Sequence, residues 1–133
     1  MSKRAMVFTL ILILAGCGLF DSGTPWKGGP YMLVWIDDPK AVTLSYDAGK
    51  GASIPRVEEQ VYSVGYDGRY VVAKQHPNRD KRITNYFIVD AGRDSKMANN
   101  KDVVIGPLNE EEFQRKSKEL NLPAFTKTLE SLK

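Results

Sequence analysis

Val61-Tyr62-Ser63-Val64-Gly65-Tyr66-Asp67-Gly68-Arg69-Tyr70-Val71-Val72-Ala73-Lys74-Gln75 is the stretch on which the fold turns. β-Branched and aromatic residues fill both arms, and Asp67-Gly68 between them suits the positive φ angles of a two-residue I′ turn. The segment reads as a β-hairpin whose first arm begins near Val57, with Val57, Val61, Tyr70 and Val72 directed inward. Its neighbours extend the pattern. Tyr31–Ile36 is a β-rich run closed by the turn composition Asp37-Asp38-Pro39-Lys40. Val42–Tyr46 alternates apolar and polar as a half-buried strand does, and Asp47–Gly51 breaks it. Ile83–Asp90 is apolar on both faces, which predicts a central strand covered from both sides.

Further along, Ala91–Asp102 is polar and rich in breakers, a loop, and Val103-Val104-Ile105 offers a short edge strand. Asn109 has the place of a helix N-cap, with Glu112 at N3 completing a capping box and Leu108 and Phe113 at the spacing of a hydrophobic staple. Glu110, Glu111 and Glu112 suit the positive end of the helix dipole, and Glu111–Arg115 and Glu112–Lys116 are favourable i,i+4 pairs. Pro123 ends this helix or starts another, in which Leu122, Phe125, Leu129 and Leu132 would form an apolar stripe. The fold class is α+β: an antiparallel β-sheet of four to six strands with one or two C-terminal helices. The 133 residues suit one domain, placed at residues 30–133.

The amino terminus carries the strongest functional signal. Met1-Ser2-Lys3-Arg4 is a basic start, followed by Val7–Ala15, a run in which Thr9 is the only polar side chain. About 20 apolar residues are needed to cross a bilayer, so this shorter run reads as a secretory signal peptide over residues 1–16. It ends in Leu14-Ala15-Gly16-Cys17, which looks like a bacterial lipobox. Cleavage between Gly16 and Cys17 would leave a lipidated cysteine as the new first residue. Two or more acyl chains hold a protein stably at about 0.8 kcal/mol per buried CH₂, where one alone does not. Residues 17–29 then read as the lipidated Cys17 and a flexible tether, rich in glycine and poor in apolar residues, with Trp26 either at the membrane interface or packed on its own domain. With Gly18 after the cysteine, where an aspartate would favour retention at the inner membrane, the resemblance to a lipobox implies outer-membrane sorting if the host has two membranes, with the domain facing the periplasm or the cell surface.

Composition excludes more than it assigns. The chain has 19 basic and 16 acidic residues, and without Lys3 and Arg4 the balance falls to 17 against 16, so no nucleic-acid partner is expected. One cysteine and one histidine leave no Cys/His zinc site and no internal disulfide, and no metal or other cofactor is expected. No phosphate-cradling glycine loop occurs, and Gly49-Lys50-Gly51 reads as a loop. His76, in Gln75-His76-Pro77-Asn78-Arg79-Asp80, falls in an exposed turn with no evident nucleophile to serve. Asp37-Asp38 suits a turn better than calcium, and the adjacent Glu58 and Glu59 point to opposite faces of a strand, so no catalytic residue is named. The candidate binding patch is Lys74, His76, Arg79, Lys81 and Arg82, an anion-attracting surface for lipid headgroups, cell-wall polymer or an acidic protein; a solvated hairpin tip is the plainer reading. Tyr62, Tyr66, Tyr70 and Tyr86 belong either to a binding face beside it or to the core.

Val61–Gln75, Asn85–Asp90 and Gly106-Pro107-Leu108-Asn109-Glu110-Glu111-Glu112-Phe113 together resemble a family of small bacterial lipoproteins carrying a domain of unknown function, over roughly residues 31–120. The resemblance implies an envelope location and a single compact domain and brings no activity, cofactor or site residues. The expectation is a membrane-anchored lipoprotein whose non-enzymatic domain binds a protein or envelope polymer, inhibitor or immunity type being one form. A structural envelope component is the alternative, and a carboxylate-dependent hydrolase a more distant one.

Overall fold

Residues 21–133 are described by a computed structural model, and the signal-peptide and lipobox readings, with Gly16 and Cys17, lie outside them. The first four strands, β1 (Ser22–Gly28), β2 (Tyr31–Ile36), β3 (Thr43–Gly49) and β4 (Ala52–Val57), form an antiparallel meander. The chain then crosses to a second antiparallel sheet made of β5 (Val61–Tyr66), β6 (Tyr70–Gln75), β7 (Asn85–Asp90), β8 (Val104–Leu108) and β9 (Lys127–Thr128), in the order β8-β7-β6-β5-β9. A single turn of helix, α1 (Asn100–Val103), precedes β8, and α2 (Glu110–Leu120) follows it. The α+β class stands, with a C-terminal helix; the strands divide between two sheets, of four and five, instead of forming one.

Two apolar layers hold this together. Tyr31, Leu33, Leu44 and Val57 of the first sheet, with Val42 just ahead of β3, meet Val64, Val71, Ala73 and Val89 of the second in a fully buried core. On the other face of the second sheet, Tyr70, Val72, Tyr86 and Ile88 are covered by Phe113 of α2 and by Leu120, Leu122 and Phe125. The molecule is therefore three layers deep, sheet on sheet on helix. Tyr62, Tyr70 and Tyr86 go to these cores, and Tyr66 packs at the edge of the first.

The predicted hairpin is present, with Tyr66 opposite Val71, but its turn differs. Asp67 donates its N–H to the Tyr70 carbonyl at 3.3 Å, so the central pair is Gly68-Arg69, and Gly68 alone has a positive φ, of 94°. Glycine first is the II′ pattern, and Asp67 becomes the cap, its carboxylate accepting the N–H of Tyr70 at 2.8 Å and of Arg69 at 2.9 Å. Val57, assigned above to this hairpin, closes β4 of the other sheet. The capping box is as read: Glu112 N–H donates to Asn109 Oδ1 at 2.8 Å, and Asn109 N–H to Glu112 Oε1 at 3.2 Å. Because Glu112 is occupied there, Lys116 pairs instead with Glu119, at 3.5 Å.

Three further expectations are corrected. Residues 22–28 are a strand and not a tether: β1 pairs with β2 from Ser22↔Ile36 to Gly28↔Tyr31, and Trp26 packs against the core. Glycine and proline disguised it, since both are tolerated on an edge strand with a bulge, which lies here between Gly23 and Trp26. The helical stripe beyond α2 does not form. Asn121 closes α2 in the left-handed region at φ 52°, and the following chain straightens to pair with β5, Thr126 N–H donating to the Val64 carbonyl at 2.9 Å. Leu122 and Phe125 then join one core, Leu129 and Leu132 the other, so a helical spacing is shared between the two faces of one sheet. Finally, α1 occupies the end of the loop expected over 91–102.

Candidate functional site

The basic loop was the sequence's candidate, and its side chains disperse. His76 is only 3% exposed, not in an exposed turn. Its ring stacks on Tyr62 with centroids 4.1 Å apart and planes 11° from parallel, and Nδ1 donates to the Ile83 carbonyl at 2.8 Å. Nε2 is buried with no hydrogen-bond partner among the described residues, so no hydroxyl is held for it to deprotonate. A single turn of 3₁₀ helix over Pro77–Arg79 follows it. Arg79 reaches across to Asp38 Oδ2 at 2.6 Å and Glu59 Oε2 at 3.0 Å, tying this loop to the turn after β2. The N–H of Lys40 together with the Arg79 guanidinium holds the Asp38 carboxyl below the usual carboxylate range. Arg82 pairs with Asp80 at 2.9 Å, and that contact likewise lowers the Asp80 carboxyl. Lys81 Nζ donates to the Ser131 carbonyl at 3.4 Å, and Lys74 Nζ stands 4.6 Å from the Phe125 ring centroid on the helix side. Arg79 and Lys81 share a shallow depression with Lys40 and Gln60, whereas Lys74 and His76 do not line it.

A second polar cluster escaped the sequence reading. Arg56, at the bulged end of β4, is 4% exposed, and its ion pair with Asp94 at 2.7 Å is closed to solvent on both sides. Asp94 accepts from Arg56 Nη2 and Nε, from Tyr31 Oη at 2.7 Å and from Ser95 N–H at 2.8 Å. Arg56 also donates to Asn100 Oδ1 and to the Ser95 carbonyl. Burial, reinforced by Asp94, pushes the Tyr31 hydroxyl well above its usual range. Each side-chain nitrogen of Arg56 and each carboxylate oxygen of Asp94 has a partner inside the cluster, so it serves as a clasp that fastens the loop between β7 and α1 onto the first sheet. Its two charges stand 38 positions apart in the chain, and periodicity carries no sign of the pairing.

The remaining feature is a surface. Along β2, Tyr31, Leu33 and Trp35 turn to the core, so Met32, Val34 and Ile36 turn outward. Around them stand Thr43, Ser45 and Ser53, with Thr43 Oγ1 and Ser45 Oγ hydrogen-bonded at 2.8 Å, and two shallow depressions share Val34, Ile36 and Ser53. Ile36 is 62% exposed. Among the described residues, the second sheet is covered on both faces and the first on one only, so this is the open sheet face of the molecule. Six consecutive apolar residues from Tyr31 to Ile36 were its sequence signal: a strand apolar on both sides. Among the described residues, no three His, Cys, Asp or Glu side chains gather at metal-binding spacing, and no helix is long and apolar enough to cross a membrane.

These features define an α+β domain of three layers with an internal polar clasp and one open sheet face. The chain belongs to the family described as a protein of unknown function, DUF3997, whose model matches residues 28–132. No curated protein and no solved structure matches it.

Proposed function

We propose that the protein is a bacterial lipoprotein, anchored in the membrane through acyl chains on Cys17, whose domain works by binding a protein or polymer of the cell envelope, an inhibitor or immunity role being one form. The observation that carries the reading is Leu14-Ala15-Gly16-Cys17 at the end of a short apolar run behind a basic start. The distance from that motif to the fold supports it: β1 begins at Ser22, five residues beyond Cys17. Five residues reach at most about 17 Å, so the domain would sit against the bilayer and not on a long stalk. Binding in preference to turnover is supported by the fate of the polar groups. Arg56, Asp94, Arg79, Asp38 and Glu59 satisfy one another, and the single imidazole is stacked inside. With the anchor joined to the first sheet, the exposed side of α2, two layers away, is the surface presented to a partner.

Growth with radiolabelled palmitate tests the anchor: wild type takes the label and sediments with membranes, and Cys17→Ser does neither. An unlabelled wild type, or equal labelling of both, overturns the reading. A photoreactive residue at the exposed Gln114 tests the binding role, with a discrete adduct expected in intact cells and the lack of any adduct counting against it.

A further inference from the structure

We infer that the open face of the first sheet is a membrane-docking face, lying on the same bilayer that holds the anchor. The inference rests on the lipoprotein reading and adds to it the orientation of the domain. The apolar stripe on this face runs Ile36, Val34, Met32, and its most exposed member stands at the chain's exit: Ser22 is the register partner of Ile36, and the Asp37 N–H donates to the Asp21 carbonyl at 2.7 Å. Cys17 is joined to Ser22 by four residues, Gly18, Leu19, Phe20 and Asp21, two of them apolar. The five steps from Cys17 to Ser22 reach about 17 Å, shorter than the roughly 20 Å that separates the outer sheet from a helix two layers away. Seating α2 on the bilayer would lift Ser22 farther from the lipid than the connection allows, whereas the face that begins at Ser22 meets no such limit.

The chemistry of the face suits an interface with lipid. Met32, Val34 and Ile36 offer apolar area at the depth of the headgroup–acyl boundary. Beside them the Thr43 and Ser45 hydroxyls satisfy each other at 2.8 Å, with Ser45 itself buried, so the face carries no unmet polar group there. At the far end of the face stand Lys27 and Lys50, long enough to reach lipid phosphates, against one carboxylate, Asp47, which already accepts the Gly49 N–H at 2.8 Å. The contact is small, and it suffices because the anchor supplies the affinity; the face has only to choose an orientation among those the short connection permits.

The test uses the full lipidated protein reconstituted in vesicles of phosphatidylethanolamine and phosphatidylglycerol. Cys17 is the only cysteine of the chain, so once acylated it leaves an introduced cysteine as the sole target for a nitroxide label. With Ile36→Cys, the label should be several-fold less accessible to a water-soluble nickel chelate than with Gln114→Cys, and more accessible to oxygen dissolved in the bilayer. A label at Thr24→Cys should be shielded in the same way and should lose that shielding when Ile36→Asp is added; both sites are exposed, so neither change threatens the core. Equal accessibility of positions 36 and 114 in vesicle-bound protein overturns the inference. So does a position 36 that is shielded in cells yet open in vesicles, which would give the face to a protein partner. Failure of the anchor itself shows separately, as protein that carries no palmitate and does not float with the vesicles.

Discussion

Arg56 and Asp94 are the residues whose loss the fold would feel most. Both are sealed from solvent, and each is the main counter-charge of the other. Removing one partner leaves a buried charge without compensation, which costs about 3–5 kcal/mol, whereas replacing both by apolar side chains often restores much of it. Asp94→Ala should therefore lower the unfolding free energy by about that amount, and Arg56→Met with Asp94→Leu should lie nearer the wild type than Asp94→Ala does. Urea titrations of the two variants and the wild type decide it; a double variant weaker than Asp94→Ala would mean that the pair is itself a source of net stability. Asp67 shows the milder, solvent-facing case. The N–H of Tyr70 first, then that of Arg69, hold its carboxyl below the usual range. A carboxyl depressed in the folded state contributes stability above its unfolded value, near about 3.9, and loses it as pH falls through the folded value. Asp67→Ala should cost about 1 kcal/mol at neutral pH, and the gap to wild type should close below about pH 4. Melting curves from pH 7 to 2.5 would contradict this if the gap widened in acid.

Between residues and layers, some elements were legible and others were not, for reasons that Gly65 brings together. The hairpin of β5 and β6, strand β2 and the capped start of α2 carry their instructions within a few residues: alternating β-branched side chains, Asp-Gly, Asn-x-x-Glu. The strand β4 and the ending of the chain do not. Pro55 hides β4, being acceptable only because that strand is an edge, and the leucines after α2 keep a helical spacing while the chain is extended. His76 was misplaced for the same cause: its turn composition is local, and Tyr62, which buries it, is 14 residues back along the chain. The outer face of β2 was present in the sequence as Met32, Val34 and Ile36, but which layer would leave it uncovered was not. Gly65 reads only as a weak point in a strand; in the structure, a Cβ there would land on the carbonyl oxygen of Ala124. The C-terminal segment crosses β5 at that point, and a backbone atom cannot yield as a side chain can. Gly65→Ala should cost about 1–3 kcal/mol. Hydrogen exchange should quicken at Thr126 and Leu129, whose N–H groups donate to Val64 and Tyr62, before it does at Val71 in the middle of the sheet. Equal quickening at all three would place the damage in the sheet and not in the crossing.

At the scale of the whole molecule, two open sheets raise the question of what stops them from growing. Among the described residues they end in four edge strands, and three of these, β1, β4 and β8, contain a proline, Pro25, Pro55 and Pro107. The fourth, β9, pairs over only two residues. A proline offers no N–H to an incoming strand, and short or bulged edges give it little length to follow, so strand addition is blocked at each edge. The consequence bears on the proposed function: with the open side of the first sheet on the bilayer, a protein partner would be met on the helix layer and not by extending a sheet. The first sheet is the sensitive one, because its outer face is apolar in the middle and both its edges rely on a proline. Pro25→Thr with Pro55→Thr restores two N–H donors without touching either core. In the Cys17→Ser background, which removes the proposed acylation site, the double variant should form larger species in sedimentation velocity as concentration rises, while the parent keeps one sedimentation coefficient over the same range. A double variant that stays as the parent does would locate the protection in the bulge of β1 and the twist of the sheet, and restoring either proline alone would then have no effect.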